Sequence, residues 1–458
     1  MLLLNFLKLC DGWGNVFSQQ RTIKRAIRHS LMGLCSLGRG TITRAIMTAG
    51  RNFVDWSGDY YLYSRCQWEI KDLFQNIINK TVNNSYKNYV AVAWDETKIK
   101  KTGRKIPGVS YQRDPMSPPF HTNFILGHRY LQASALLPLH QKHNVSCRGI
   151  PVAFSAIPRI EKPKKKALKE EWIAYEIERK KHNLSTHFVE KLNEMRLMYD
   201  KTDGKNKILV ATCDGAFCNK TVFNSNIERT IILTRCRKDL SLCFSATDSP
   251  RQVYNKEKFT PESKRKDNSI KWKTKKIFHG KKWREVKYKE IKNVLWQRGA
   301  KRKLLRLIVL KPIPYRISQN GRLYYRQPSY LLCDNIEAPV ETLIQIYFDR
   351  WQIEVNFRDE KETLGIGQAQ VWSDKSVEKQ PAFMVAAYSM LLLASLKAYG
   401  AKRTKNYVQH PRWRKKEERP SCLDLITQLR MEVVSDSDTT YRVGIETNAN
   451  KFINSAAA

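Results

Sequence analysis

The sequence predicts an α/β fold on three observations. Short apolar runs of strand character recur at 89–94, 129–137, 149–157, 207–213 and 228–235. Helical stretches surround them over about 1–80, 164–199, 339–364 and 381–398, on the evidence of 3.6-residue spacing and flanking Gly and Pro. Two of the strand-like runs end in a carboxylate, Asp95 and Asp214, and the third helical stretch carries a further one, Glu354.

The elements follow in order. Residues 19–37 mix Arg and Lys with Ala and Leu, then Gly38-Arg39-Gly40 makes a turn and a second helix opens on Thr41 and carries Arg44. That is a helix-turn-helix candidate. Trp56, Tyr60, Tyr61 and Tyr63 read as packing. Tyr89-Val-Ala-Val-Ala-Trp94 reads as a buried strand whose end presents Asp95. Side chains alternate along a strand, so only one of Asp95 and Glu96 faces a cleft, and Asp95 is the candidate. A Gly- and Pro-punctuated loop over 102–119 leads to strands 129–137 and 149–157, antiparallel partners of the first. Residues 164–199 read as one long charged surface helix, with Lys164 to Lys166 solvated. The run 207–213 ends at Asp214-Gly215, where glycine allows a sharp turn.

Between Asp214 and Glu354 lie 139 residues, too many for the connections of a compact core. A β-rich insertion is expected over about 240–326. Its part from 256 to 326 is basic, with Trp272, Trp283, Tyr288, Trp296, Tyr324 and Tyr325 interleaved, most of them packing on each other. Pro339 suits a first helical turn, and Gly365 with Gly367 supplies a stop. At about 100° per residue, Tyr347, Arg350, Glu354 and Lys361 share one stripe, beside an apolar stripe of Ile346, Ile353, Phe357 and Leu364. Residues 381–398 read as a buried core helix, 402–419 as a basic stretch around Trp413, and the tail after Asn448 as disordered. The domains expected are 1–80, 85–380 and 381–458.

Lys and Arg number 82 against 43 Asp and Glu, a formal charge of +39, and such an excess points to a polyanionic partner, nucleic acid first. Ten scattered cysteines without a Cys-x2-Cys pair read as reduced thiols of a cytosolic protein, not a zinc site. Residues 1–9 are too short for a secretory signal. The apolar run 382–396 falls short of the roughly 20 residues a bilayer needs.

The spacing Tyr347-x2-Arg350-x3-Glu354-x6-Lys361 resembles the signature of DDE transposases of bacterial insertion sequences, in the branch named after insertion sequence four. The resemblance implies a ribonuclease H-like catalytic core with a mainly β insertion, an N-terminal helical domain that binds transposon ends, and C-terminal helices. It implies that Asp95, Asp214 and Glu354 are catalytic and hold two Mg²⁺ ions, Mn²⁺ substituting, while Tyr347, Arg350 and Lys361 hold DNA phosphates. Trp351, next on the helix, is placed either to stack on a base near the cut or to pack. The activity implied is metal-dependent cleavage at the element's ends and strand transfer into target DNA. The partners implied are double-stranded DNA, both terminal inverted repeats and target, and a second subunit in a homodimeric DNA complex. The location implied is the bacterial cytoplasm, at the nucleoid, with no membrane association. Two other readings are a non-catalytic DNA-binding protein derived from a transposase and a ribonuclease H-like nuclease. The intact carboxylates argue against the first and the insertion against the second.

Overall fold

The computed structural model describes residues 1–446 apart from 115–116, 119, 247–250, 319 and 414–416; the tail after Asn448 lies outside the described residues. The fold is a mixed α/β one. In chain order, the helices that matter are α1 (Gln20–Cys35), α2 (Ile42–Thr48), α3 (Ser57–Ser64), α4 (Lys169–Lys181), α5 (Leu184–Asp200), α6 (Val340–Asp349), α7 (Gln352–Arg358) and α8 (Asp374–Tyr399). The strands are β1 (Tyr89–Lys100), β2 (Ser110–Arg113), β3 (Phe124–Leu137), β4 (Arg148–Ala156), β5 (Ile208–Cys213), β6 (Thr230–Arg235), β7 (Lys273–His279), β8 (Lys282–Val294), β9 (Leu305–Leu310) and β10 (Ser329–Cys333). Two compact units are interleaved along the chain. The first takes 1–84, 96–182 and 352–458, and the second takes 85–95 and 183–351.

The second unit is built on a sheet in the order β1-β5-β6-β10-β9-β8-β7. β1, β5 and β6 run parallel, and the rest are antiparallel. All six residues of β9 are buried, as near-continuous apolar runs in two-faced sheets are. The β-rich stretch expected as an insertion thus donates β7, β8 and β9 to this sheet. Its aromatics pack only in part: Trp283 meets Phe278 edge-on at 5.5 Å, Trp296 meets Phe223 at 5.7 Å, and Lys289 lies 4.8 Å over the Trp272 ring, while Trp283, Tyr324 and Tyr325 stay exposed.

In the first unit β3 is flanked by β2 and β4, both antiparallel to it. α8 buries nearly every residue from Ser376 to Ser395 and is fixed to β4 by the Ser389 hydroxyl, which donates to Pro151 O at 2.7 Å. By length and composition alone α8 could cross a membrane, but a helix enclosed by protein offers lipid no face. Pro381 sits inside it and has no N–H for the carbonyl of Val377, four residues back. The buried Tyr130 hydroxyl donates to that carbonyl instead, at 2.8 Å. The expected single helix over 164–199 is two, α4 and α5, because Asn183 caps the second through its side chain.

The expected two-helix motif forms as α1 and α2, with Gly38 at φ +78° in the turn and Thr41 accepting from Arg44 N at 3.1 Å as cap. Most of α2 is buried, and Arg44 Nε donates to Leu37 O at 2.8 Å. α1 and α3 are pinned by a buried ionic cluster. Asp59 accepts from Arg28 at 2.6 Å and from His29 Nε2 at 3.0 Å, with Arg25 Nε 3.5 Å away. The other ring nitrogen of His29 lies 3.1 Å from the Tyr63 hydroxyl, which suits a neutral imidazole with both nitrogens satisfied. Burial pushes His29 below its usual range.

Candidate functional site

Asp95 and Asp214 are neighbours by strand register. β1 and β5 pair in parallel up to Trp94 opposite Cys213, so the two carboxylates come next on strands about 4.8 Å apart. β1 does not end at Asp95, as expected, but runs on to Lys100. What ends at Trp94 is its pairing with β5, and that leaves Asp95 at the edge. Trp94 is buried against Phe188 at 5.3 Å, so alternation turns Asp95 to the opposite face. Glu96, the rival, is taken up in the other unit by Arg129, which donates to it at 2.9 Å.

Asp214 caps a short turn of 3₁₀ helix, Gly215–Phe217, accepting from Ala216 N at 2.9 Å. The glycine is not what bends the chain there. A Cβ on Gly215 would meet only ordinary contact at 3.6 Å from Arg235 O; the turn is made by the Asp214 cap and by Phe217 burying against Phe188 at 4.8 Å.

Arg350, at the C-cap of α6, brings its guanidinium to 3.6 Å from Asp95. Cys213 registers all three charges. Burial pushes its thiol well up, Asp214 and Asp95 push it further, and Arg350 pulls the other way. The orientation of α6 is set by a residue the sequence did not single out. Asp349 is buried, accepting from the Tyr86 hydroxyl at 2.8 Å and from Gln345 Nε2 at 3.2 Å. The bond from Tyr86, outside the helix, fixes the helix rotation, and with it Tyr347, which is half-buried two residues earlier. The only sequence signal for this was an acidic residue among apolar neighbours.

The rest of the signature belongs to the other unit. The expected continuous helix is interrupted at Arg350–Trp351, where Trp351 is 57 % exposed. α7 carries Glu354 half-buried and sinks Ile353 and Asn356. It lies close to β4 because Gly149 has no side chain: a Cβ there would stand 2.7 Å from Asn356 Oδ1. Arg419, from the basic stretch, donates to Gln352 Oε1 at 2.7 Å at the start of α7. After Arg358 the helix widens into a π turn, Asp359–Thr363, and stops at Gly365 and Gly367, with φ +61° and +91°. Lys361 is exposed, 5.5 Å over the Phe357 ring. The π turn adds a residue to the winding, so Lys361 does not keep the phase that an even 100° step gives it.

Two acidic side chains anchor this turn. Asp359 accepts from the Tyr388 hydroxyl at 2.9 Å, and Glu360 accepts from Gln132 Nε2 at 2.9 Å. Burial pushes the Glu360 carboxyl up to about 8, against the opposing Gln132 bond. A folded value above the unfolded one means the stabilising proton is held below about pH 4.3, and that stability is lost as pH rises to about 8. Glu360→Gln is therefore expected to melt higher than wild type at pH 8 to 9 and with it near pH 4. A constant difference across that range in thermal melts would contradict the assignment.

Asp95, Asp214 and Arg350 are thus brought together in one unit, and Glu354 and Lys361 lie on α7 and its π turn in the other. Among the described residues no three His, Cys, Asp or Glu side chains converge as a metal-ligand group. Asp95 and Asp214 supply two of the hard oxygen donors that Mg²⁺ prefers. Among the described residues the ten cysteines form no disulfide. No family model matches the chain, and no curated protein sequence matches it.

Proposed function

We propose that the chain is a DDE-type DNA transposase that cleaves DNA at transposon ends and joins them to target DNA. The observation that carries this is the pair Asp95 and Asp214 at the carboxyl edge of adjacent parallel strands, with Arg350 beside them. An antiparallel pair, β3 with β4, and a parallel set, β1 with β5 and β6, are the strand types a ribonuclease H-like core requires, which supports the same reading. The third carboxylate, Glu354, enters through the motif spacing alone. In this reading Asp95, Asp214 and Glu354 hold two Mg²⁺ ions, whose presence supplies the Lewis acidity that phosphodiester exchange needs. Arg350 offers its fork to a phosphate flanking the scissile one, and Lys361 offers a point charge. Tyr347 donates its hydroxyl to a phosphate oxygen and is not a nucleophile, and exposed Trp351 is free of packing duty and open to a base. The partner is double-stranded DNA, matching the charge of +39.

The test uses the full chain with DNA carrying the ends of its element and Mg²⁺ or Mn²⁺. Wild type is expected to nick the ends, and Asp214→Ala to lose at least about a hundredfold in rate, since removing a group that supports charge in the transition state costs that much or more. Equal cleavage by the two proteins would remove Asp214 from the site.

A further inference from the structure

α4 is a thirteen-residue helix with no buried residue. Ile173 and Ile177 on it are 61 % and 58 % exposed. Isolated helices of this length are marginal in water, and most helical stability comes from packing an apolar face. A bare isoleucine stripe therefore calls for a cover, and its charges say which kind. The helix carries four acidic residues, Glu170, Glu171, Glu176 and Glu178, and four basic ones, Lys169, Arg179, Lys180 and Lys181, so its net charge is zero in a chain at +39. A nucleic-acid contact or an anionic membrane surface would need a basic excess here. The charges are also sorted along the axis, acid in the first turn and base in the last.

We infer that α4 is a self-association element that pairs antiparallel with α4 of a second copy of this chain. At about 100° per residue, Ile173 and Ile177 lie about 40° apart, and Glu170 and Lys181 fall about 20° and 40° beyond Ile177 on the same face, with Ala174 next to them. A two-fold axis near residues 175 and 176 sets Glu170 opposite Lys181 of the second copy and Ala174 opposite its Ile177. Each contact then occurs twice, as an isologous interface requires. Small Ala174 lets the helices approach, and the two helix dipoles oppose favourably. A helix about 20 Å long covers far less than the roughly 800 Å² per partner of a standard stable interface. The dimer is accordingly weak and concentration-dependent. This inference does not rest on the transposase reading.

Sedimentation velocity of the full chain without DNA, across a hundredfold range of concentration, tests it. Salt of about 0.3 M keeps the Debye length below 10 Å and screens repulsion between the two basic bodies. The sedimentation coefficient is expected to rise with concentration, and Ile177→Asp to abolish the rise with an unchanged melting temperature, because that residue is exposed. Glu170→Lys and Lys181→Glu should each weaken association several-fold, two like-charge pairs arising from each single change. The double swap, Glu170→Lys with Lys181→Glu, should restore it. A wild-type protein that stays monomeric throughout, association indifferent to Ile177→Asp, or a double swap no better than the single reversals would each overturn the inference.

Discussion

Glu354→Gln is expected to abolish strand cleavage while leaving DNA binding in metal-free buffer intact. The substitution keeps size and hydrogen-bonding reach but removes the negative charge a divalent ion needs, and a polyanion is attracted no less when an acidic charge disappears. Glu354 is half-buried on a helix held by Ile353 and Asn356, so the melting temperature should move little. Arg350→Ala should behave differently. It removes the guanidinium 3.6 Å from Asp95 and should weaken capture of the cleaved end by about 1.5–3 kcal/mol, the size of one charge-assisted contact. Binding, cleavage and melting measured side by side on the two variants separate a ligand from a phosphate clamp. A Glu354→Gln protein that cuts at the wild-type rate would leave the proposed site without its third carboxylate.

The largest effect on stability is expected at Asp59, far in sequence from the signature. Burial alone would push its carboxyl up, but the hydrogen bonds from His29 and Arg28, with the charge of Arg28, outweigh burial and hold it down at about 2. Asp59→Ala leaves Arg28 buried without its counter-charge, which should cost about 3–5 kcal/mol. The pH dependence follows from the depressed value. The stability Asp59 contributes is fully present above about pH 4 and is lost as pH falls toward 2, roughly 2–3 kcal/mol in all. His29, held neutral by burial, adds to the same acid side, since it must charge on unfolding. Urea midpoints for wild type and Asp59→Ala should therefore draw closer as pH falls from about 4 toward 2. Midpoints that stay equally far apart from pH 7 to pH 3 would show that Asp59 acts through packing and not through its charge.

What could be read from the sequence divides along physical lines. Continuous apolar runs announced β1, β3, β4, β5 and β6, because a strand buried on both faces writes itself as hydrophobic side chains. β9 has an equally clear run at Leu305–Leu310, but it lay inside a stretch whose charge drew attention to a partner and away from a core. α8 was legible for the same reason as the strands. The motif helix was legible as an element and not as a shape. Neither the interruption at Arg350–Trp351 nor the π turn at Asp359–Thr363 leaves a mark in residue spacing, and the π turn is held by tertiary bonds, those of Gln132 to Glu360 and Tyr388 to Asp359. Likewise nothing in residue spacing sets Asp59 apart from a helix-surface acid. Its partners Arg28 and His29 are about thirty residues away in the chain, and such pairings become visible only once α1 and α3 are side by side.

The interleaving of the two units bears on how the chain is born. A ribosome that has delivered residue 351 has supplied everything the second unit contains, from Ser85 to Trp351, whereas the first still lacks everything from Gln352 on. Until α8 emerges, the carbonyl of Pro151 has no Ser389 to meet it and Tyr130 has no Val377 to cap. The N-terminal helices and β4 must therefore wait with their apolar faces uncovered while the later-synthesised half completes itself. A chain cut short anywhere in that interval would hold one finished sheet and one open core, and the open core is what chaperones and proteases would meet first.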